Sequence, residues 1–430
     1  MDFIFQTPYI IRILTALAVI LVLYRRFKNL VIALPAGILV LSFWSGHDLL
    51  QIARISWQRF AAADNLMLMI IILQVIWLSI QMKQTGIMRD LVDSVSTKFS
   101  KKHSLAVLPA IIGLLPMPGG ALFSAPMVKD TDPDNQVADQ EKSKINYWFR
   151  HVWEYWWPLY PGVLLALSIT KLEIWQFILL QLPLSIFSVL GGYFFLLRPL
   201  KKLSLNRKPY QARKVEYFGM LVAPIMVVIG VYFFIRTALP VVTAINQYLP
   251  MVIAILSAQI FLQLVRPLAL KNIIRIFSSR NSYKLAFIVA LIRIYGAFIE
   301  ARLPDGMPLT MHVRQELLLL HIPILIVIML IPFISGLTTG IAVGFVGASF
   351  PVVITLLGAG VPLPQLLAST VVAYAFGYIG MMLSPLHVCN LVTNEYFKTN
   401  LLKSIFQLTG PSAVVLVGSL CLYLLIQVFL

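Results

Sequence analysis

Residues 108–128 read LPAIIGLLPMPGGALFSAPMV. The stretch is apolar enough to lie in a bilayer, yet Pro109, Pro116, Pro118, Gly119 and Gly120 interrupt it. Helix interiors disfavour Pro and Gly by roughly 3 and 1 kcal/mol relative to Ala. The PMPGG run therefore predicts one short helix, a turn within the membrane, and a return. Irregular backbone at that depth survives only where protein buries it or where it lines a wet cavity. A second stretch of the same kind follows at 331–353, IPFISGLTTGIAVGFVGASFPVV. Both carry a Pro with Gly-Leu four residues on (Pro109, Gly113, Leu114; Pro332, Gly336, Leu337), and both close on Ser-x-Pro-x-Val (Ser124, Pro126, Val128; Ser349, Pro351, Val353). Beyond each lies a helical segment interrupted at Pro-Leu, WWPLYPG at Pro158 and LSPLHVCN at Pro385. Paired interruptions in two halves of a membrane chain point to a secondary transporter's binding region.

The whole chain supports a membrane setting. Of 430 residues, 59% are hydrophobic and 12% charged, with a mean hydropathy of +0.87. A soluble chain could not cover so much apolar surface, so an all-α polytopic membrane protein is expected. The net charge of +17 does not indicate nucleic acid, because the basic residues fall in particular loops. Cys389 and Cys421 both sit in apolar segments, allowing no disulfide framework and no metal-ligand spacing. Residues 9–24 read as a retained, short first span carrying Arg12.

Ten spans are expected, at about 9–24, 30–44, 65–82, 148–169, 173–197, 217–237, 241–265, 285–301, 364–392 and 404–430. Surface segments at about 84–103 and 302–315 precede the two re-entrant hairpins. With both termini outside, the inside loops hold 25 of the 34 Lys and Arg residues, as the positive-inside rule requires. Five crossings per half make the halves inverted relative to each other. Residues 1–200 form the first inverted-topology repeat, whose hairpin (104–128) enters from the cytoplasm. The basic stretch 201–216 is a cytoplasmic linker. Residues 217–430 form the second repeat, whose hairpin (about 320–353) enters from outside.

Two inverted halves of this kind resemble the ion-transporter superfamily of divalent-anion symporters, gluconate and dicarboxylate permeases, and arsenite antiporters. More narrowly, LLPMPGGALFSAPMV and GYIGMMLSPLHVCN resemble an uncharacterised family of prokaryotic membrane proteins placed near that group. The resemblance implies location in the inner (cytoplasmic) membrane and a homodimer. The Ser-Asn-Thr clamp of the sodium-coupled dicarboxylate members is absent from both tips, which read MPGGALFS and GLTTGIAVG. Neither sodium coupling nor dicarboxylate specificity carries over.

Hairpin tips offer backbone N–H groups, and interrupted helices offer half-helix ends that favour anions at the N-terminus and cations at the carbonyl end. Candidate solute contacts are Pro118, Gly119, Gly120 and Ser124 in the first hairpin. Thr338 and Thr339 are their counterparts in the second, and Ser384, His387 and Asn390 flank Pro385. Small residues also serve close helix packing, the competing role for each. In FRHVWEYWWPLYPG, Arg150 and Glu154 stand at i, i+4 and can pair on one helix face. Together with His151 they either anchor an interfacial belt of Trp148, Trp153, Trp156 and Trp157 or face a cavity. Arg293 either holds a substrate carboxylate or pairs with a carboxylate or carbonyl of the scaffold. His387 either carries a coupling proton or donates to a carbonyl freed by Pro385. The acidic run 130–141 reads as a solvated cytoplasmic loop.

The expected function is ion-coupled secondary transport of a small anionic organic solute, with Na+ or H+ as coupling ion and no other cofactor. The partners are the solute and the lipid bilayer, with no nucleic acid. An intramembrane enzyme lacks support from HExxH, GxSxG or paired aspartates. A channel does not need two broken elements of opposite orientation.

Overall fold

A computed structural model describes residues 7–87, 90, 101–114, 120–132, 134–200, 218–303, 306–307, 309–319, 321, 323–358 and 360–430. Among these residues the chain is helical, without strands. Five helical stretches are long and apolar enough to cross a membrane: Ala63–Gln84, Ile174–Leu197, Leu270–Glu300, Leu363–Met382 and Leu401–Phe429. Shorter apolar helices lie between them. Large apolar side chains face outward along the flanks, among them Val22, Leu179, Phe234, Leu264 and Val428. Such a surface suits lipid and not water.

The first helices are α1 (Tyr9–Phe27), α2 (Leu30–Trp44), α3 (Leu49–Ala61) and α4 (Ala63–Gln84). Asn29 caps α2 by accepting from the Val31 N–H at 3.2 Å. Asp48 and Gln51 form a reciprocal capping box at the start of α3, satisfying donors that a helix N-terminus leaves open. The sequence reading treats 45–64 as a loop. In fact α3 is amphipathic, with Leu49, Leu50 and Trp57 exposed and Ile52 buried. Arg54 and Arg59, with the polar Ser56 and Gln58 between them, hide this pattern from a search for long apolar runs.

The interrupted region follows. α5 (Lys101–Gly113) and α6 (Ala121–Thr131) pack side by side, and both lie against α7 (Asp139–Arg150). The chain then makes turns over 151–160 before α8 (Pro161–Thr170). The span expected at 148–169, interrupted at Pro158, is two helices on either side of a break. Pro158 supplies no N–H, and Pro161 sits at the first position of α8, where none is needed. α9 (Ile174–Gly192) runs into a π-helical turn, Tyr193–Leu197.

The second half runs through α10 (Phe218–Ala238), α11 (Pro240–Ile245), α12 (Leu249–Val265), α13 (Leu270–Phe277), α14 (Arg280–Glu300) and α15 (Leu309–Leu319). α16 (Ile324–Thr339) and α17 (Ala342–Leu357) form a tight pair whose connection turns at Gly340, φ 63°. This conformation favours glycine. α18 (Leu363–Met382) ends at a break over 383–387, and α19 (Val388–Phe397) continues beyond it. The span expected at 364–392 is therefore also divided, at Pro385. α20 (Leu401–Gln407) and α21 (Thr409–Phe429) complete the chain. α4 packs on α14 at the centre, α2 on α14, and α12 on α4.

The acidic run 130–141 is more ordered than a solvated loop. Asp132 is buried and accepts from the N–H groups of Gln136 (3.0 Å) and Val137 (2.9 Å). It also pairs at 2.9 Å with Lys142, whose side chain is fully buried. Burial pushes the Asp132 carboxyl up, but these hydrogen bonds and the lysine outweigh it and hold the group below the usual range. A depressed carboxyl adds stability that is full above about pH 4 and is lost as pH falls through the folded value. Asp132→Asn is expected to lose about 3 kcal/mol at neutral pH, because the buried Lys142 ammonium then keeps only the Asn135 oxygen at 3.0 Å and the exposed Asp139 at 3.7 Å. The gap in thermal transition between wild type and variant should close on acidification below pH 4. A gap that persists unchanged would sink this account.

Candidate functional site

The two breaks meet in the interior. His151 closes α7, and His387 is the N-cap of α19. Their Nε2 atoms lie 3.2 Å apart, across 236 residues of sequence. Arg150, His151, Glu154, His387, Cys389 and Asn390 are all less than a tenth exposed. Burying so many polar groups within an apolar body is costly unless each is partnered or used.

The hydrogen bonds set the tautomers. His151 Nδ1 lies 2.6 Å from the Tyr147 carbonyl, and a carbonyl only accepts, so Nδ1 carries the proton. In the neutral ring Nε2 then offers a lone pair to His387, which donates from its own Nε2. One proton therefore bridges the two imidazoles. Glu154 stands 3.8 Å from His151 Nε2. The Tyr147 ring sits edge-on to both histidines, with centroids at 4.9 and 5.3 Å.

Tyrosines satisfy the carbonyls that the breaks release, each from across the interface. Tyr378 donates to the His151 carbonyl at 2.6 Å, and Tyr374 to that of Glu154 at 2.9 Å. In the other direction Tyr147 donates to the Met382 carbonyl at 2.9 Å. Tyr160 donates to the Gly113 carbonyl at the end of α5. Backbone groups freed inside a membrane need such partners.

The start of α6 and the turn between α16 and α17 each touch a break. The Gly120 Cα faces the Arg150 guanidinium so closely that a Cβ there would lie 1.9 Å from Nη2. At the α16–α17 turn, a Cβ on Gly340 would lie 2.8 Å from the His387 nitrogen. Ser384 donates to the Leu337 carbonyl at 2.6 Å and so ties the second break to α16. Asn390 Oδ1 accepts from Asn394 at 2.8 Å. Its buried Nδ2 has no acceptor among the described residues.

Of the residues singled out in sequence, Gly120, Arg150, His151, Glu154, Ser384, His387 and Asn390 lie at the breaks or against them. Ser124 bonds within its own helix, to the Ala121 carbonyl at 3.3 Å. Thr338 and Thr339 likewise donate to the carbonyls of Ile334 and Ser335. Pro118 and Gly119 lie outside the described residues. The i, i+4 helix face expected for Arg150 and Glu154 does not form, because the helix ends at Arg150. Arg293 is held elsewhere, by Asp64 and by the Ser168 carbonyl at 2.8 Å. The tryptophans do not form an interfacial belt. Trp148 donates to the Ser188 carbonyl, Trp153 to that of Ala110, and Trp156 to the Ser185 hydroxyl.

Tyr147, Tyr160, Tyr374, Tyr378 and Cys389 were not candidates in the sequence. A signal was present: the offset that carries Pro158 onto Pro385 also carries Tyr147 onto Tyr374 and Tyr160 onto His387.

Apolar flanks, helices long enough to cross a bilayer, and a polar interior built on two broken helices together define an all-helical membrane protein. Residues 10–426 match the family described as "Protein of unknown function (DUF401)", and the chain belongs to that family. None of the curated proteins matches it.

Proposed function

We propose that the chain is an ion-coupled secondary transporter of a small anionic organic solute, built from two inverted repeats related to those of the ion-transporter superfamily. The observation that carries this reading is the meeting of the two breaks, His151 against His387, with a hairpin tip on each. The helix contacts are paired as inverted repeats require: α5 on α7 as α16 on α18, and α6 on α19 as α8 on α17. Tyr147 and Tyr374, matched by the proline offset, each reach across to the opposite broken helix. Anion preference rests on the Arg150 guanidinium against the first tip and on helix N-termini at Pro161 and Val388, directly after the breaks.

The polar centre is closed to solvent, so this conformation is an occluded one. Opening moves a hairpin and its broken helix against the α4–α14 scaffold. The histidine pair supports H+ as the coupling ion, because one further proton turns two neutral rings 3.2 Å apart into an imidazolium–imidazole pair.

The test is a thermal-unfolding panel on the purified protein. It comprises mono-, di- and tricarboxylates, sugar acids, phosphate, sulfate and arsenite, with and without sodium, at two pH values. A ligand at about 100 times its dissociation constant adds roughly 2.7 kcal/mol. A selective shift that depends on pH and not on sodium is expected. A flat panel from well-folded protein would overturn the anion-carrier reading.

A further inference from the structure

The sequence reading expects no metal centre, because Cys389 and Cys421 give no metal-ligand spacing beyond a single pair. The fold brings one donor atom of each within 4.8 Å of the others, all three residues buried. We propose that this triad binds a borderline divalent transition ion, with zinc the best fit, and that the ion bridges the two broken helices.

Three features of the geometry carry the proposal. Tetrahedral zinc, with bonds of about 2.0–2.1 Å to imidazole nitrogen, sets its nitrogen ligands about 3.3 Å apart. The two Nε2 atoms already stand at 3.2 Å. A zinc–thiolate bond of about 2.3 Å puts sulfur about 3.6 Å from each nitrogen, and the three donor atoms already lie within 4.8 Å of one another. Second, His151 donates its Nδ1 proton to the Tyr147 carbonyl at 2.6 Å. This outer contact is typical of metal-bound histidines, because it aims the Nε2 lone pair at the ion. Third, Cys389 is not in a disulfide, so its sulfur is a thiol that deprotonates on binding a metal.

Binding is balanced as follows. The ion takes the place of the proton shared between the imidazoles, and the His387 ring proton moves to its Nδ1. Cys389 releases its thiol proton to solvent and becomes the third ligand. Three protein ligands leave a fourth position open. Glu154, 3.8 Å from His151 Nε2, is the nearby carboxylate. One ligand comes from the first broken helix and two from the second, so the ion would hold the breaks together. The proposal stands on this geometry whether or not the chain transports an anion.

Cobalt is the probe. The purified full chain in detergent, reduced and titrated with Co2+, is expected to show tetrahedral d–d bands in the visible and a thiolate-to-cobalt charge-transfer band in the near ultraviolet. Cys389→Ser should abolish the charge-transfer band, and Cys421→Ser should keep it. His387→Gln and His151→Gln should each weaken Zn2+ binding, measured by chelator competition, by more than about 100-fold, because losing a ligand costs more than losing an outer contact. Thermal transitions establish that each variant is folded, and the glutamine variants decide the matter if Cys389→Ser does not fold. No tetrahedral bands in the wild type, a charge-transfer band that survives in Cys389→Ser, or Zn2+ affinity unchanged in both glutamine variants would overturn the site.

Discussion

Gly336→Val is expected to abolish accumulation of folded protein. A Cβ at Gly336 would lie 2.1 Å from the Gly377 carbonyl oxygen and 2.6 Å from the Met381 nitrogen. The opposing helix answers with Gly380, where a Cβ would lie 2.1 Å from the Phe333 oxygen. These atoms belong to helix backbones and cannot rotate away, so α16 and α18 would have to separate. Close approach at small residues drives helix association in a bilayer, where lipid is as apolar as the partner helix. Separation also moves Gly340 off the backbone at Leu386 and His387, and so disturbs the second break. The loss should exceed about 4 kcal/mol, beyond the ordinary range for single substitutions. Size-exclusion profiles and thermal transitions of the detergent-extracted protein measure it. Gly230→Val is the control, since nothing lies within 4 Å of a Cβ there. A monodisperse Gly336→Val protein that melts with the control would show that the two helices are not locked at this point.

His151→Ala is expected to lower solute transport at least 100-fold while leaving a folded protein. Removing the ring eliminates the imidazole–imidazole contact between the two breaks, at 3.2 Å. It also leaves the Tyr147 carbonyl without its ring donor at 2.6 Å, which costs about 1–3 kcal/mol in a buried setting. The His151 backbone carbonyl still accepts from Tyr378, so the break keeps its backbone partner and the fold survives. Uptake into proteoliposomes under an imposed pH gradient is the measurement, with the wild type's response to the gradient absent in the variant. Uptake within a fewfold of wild type, with an unchanged pH profile, would remove His151 from the transport step and leave it a packing residue. Where the loss lies in solute affinity, a 100-fold weaker dissociation constant cuts the stabilisation by saturating ligand from roughly 2.7 to about 0.4 kcal/mol, so loss of the ligand-induced thermal shift provides a second reading.

What the sequence determined alone is local. Apolar length and composition require a membrane setting, because no arrangement of so few charged groups could cover the surface in water. Pro158 and Pro385 dictate that two helices break, because proline lacks the N–H and clashes with the preceding turn. The glycines at the hairpin tips mark where backbone must turn or approach closely, and Gly340 adopts the left-handed conformation there. Tertiary structure alone decided which broken ends meet. His151 and His387 are 236 residues apart, and no periodicity links them. Arg293 was ambiguous because its carboxylate partner, Asp64, lies 229 residues away. Trp148, Trp153 and Trp156 carry the composition of an interfacial belt, yet their N–H groups bond to neighbouring helices. The tyrosine hydroxyls and Cys389 gained their roles only when two separately encoded breaks were folded against one another. Residue type and spacing set the backbone's interruptions, whereas long-range packing chooses the groups that occupy them.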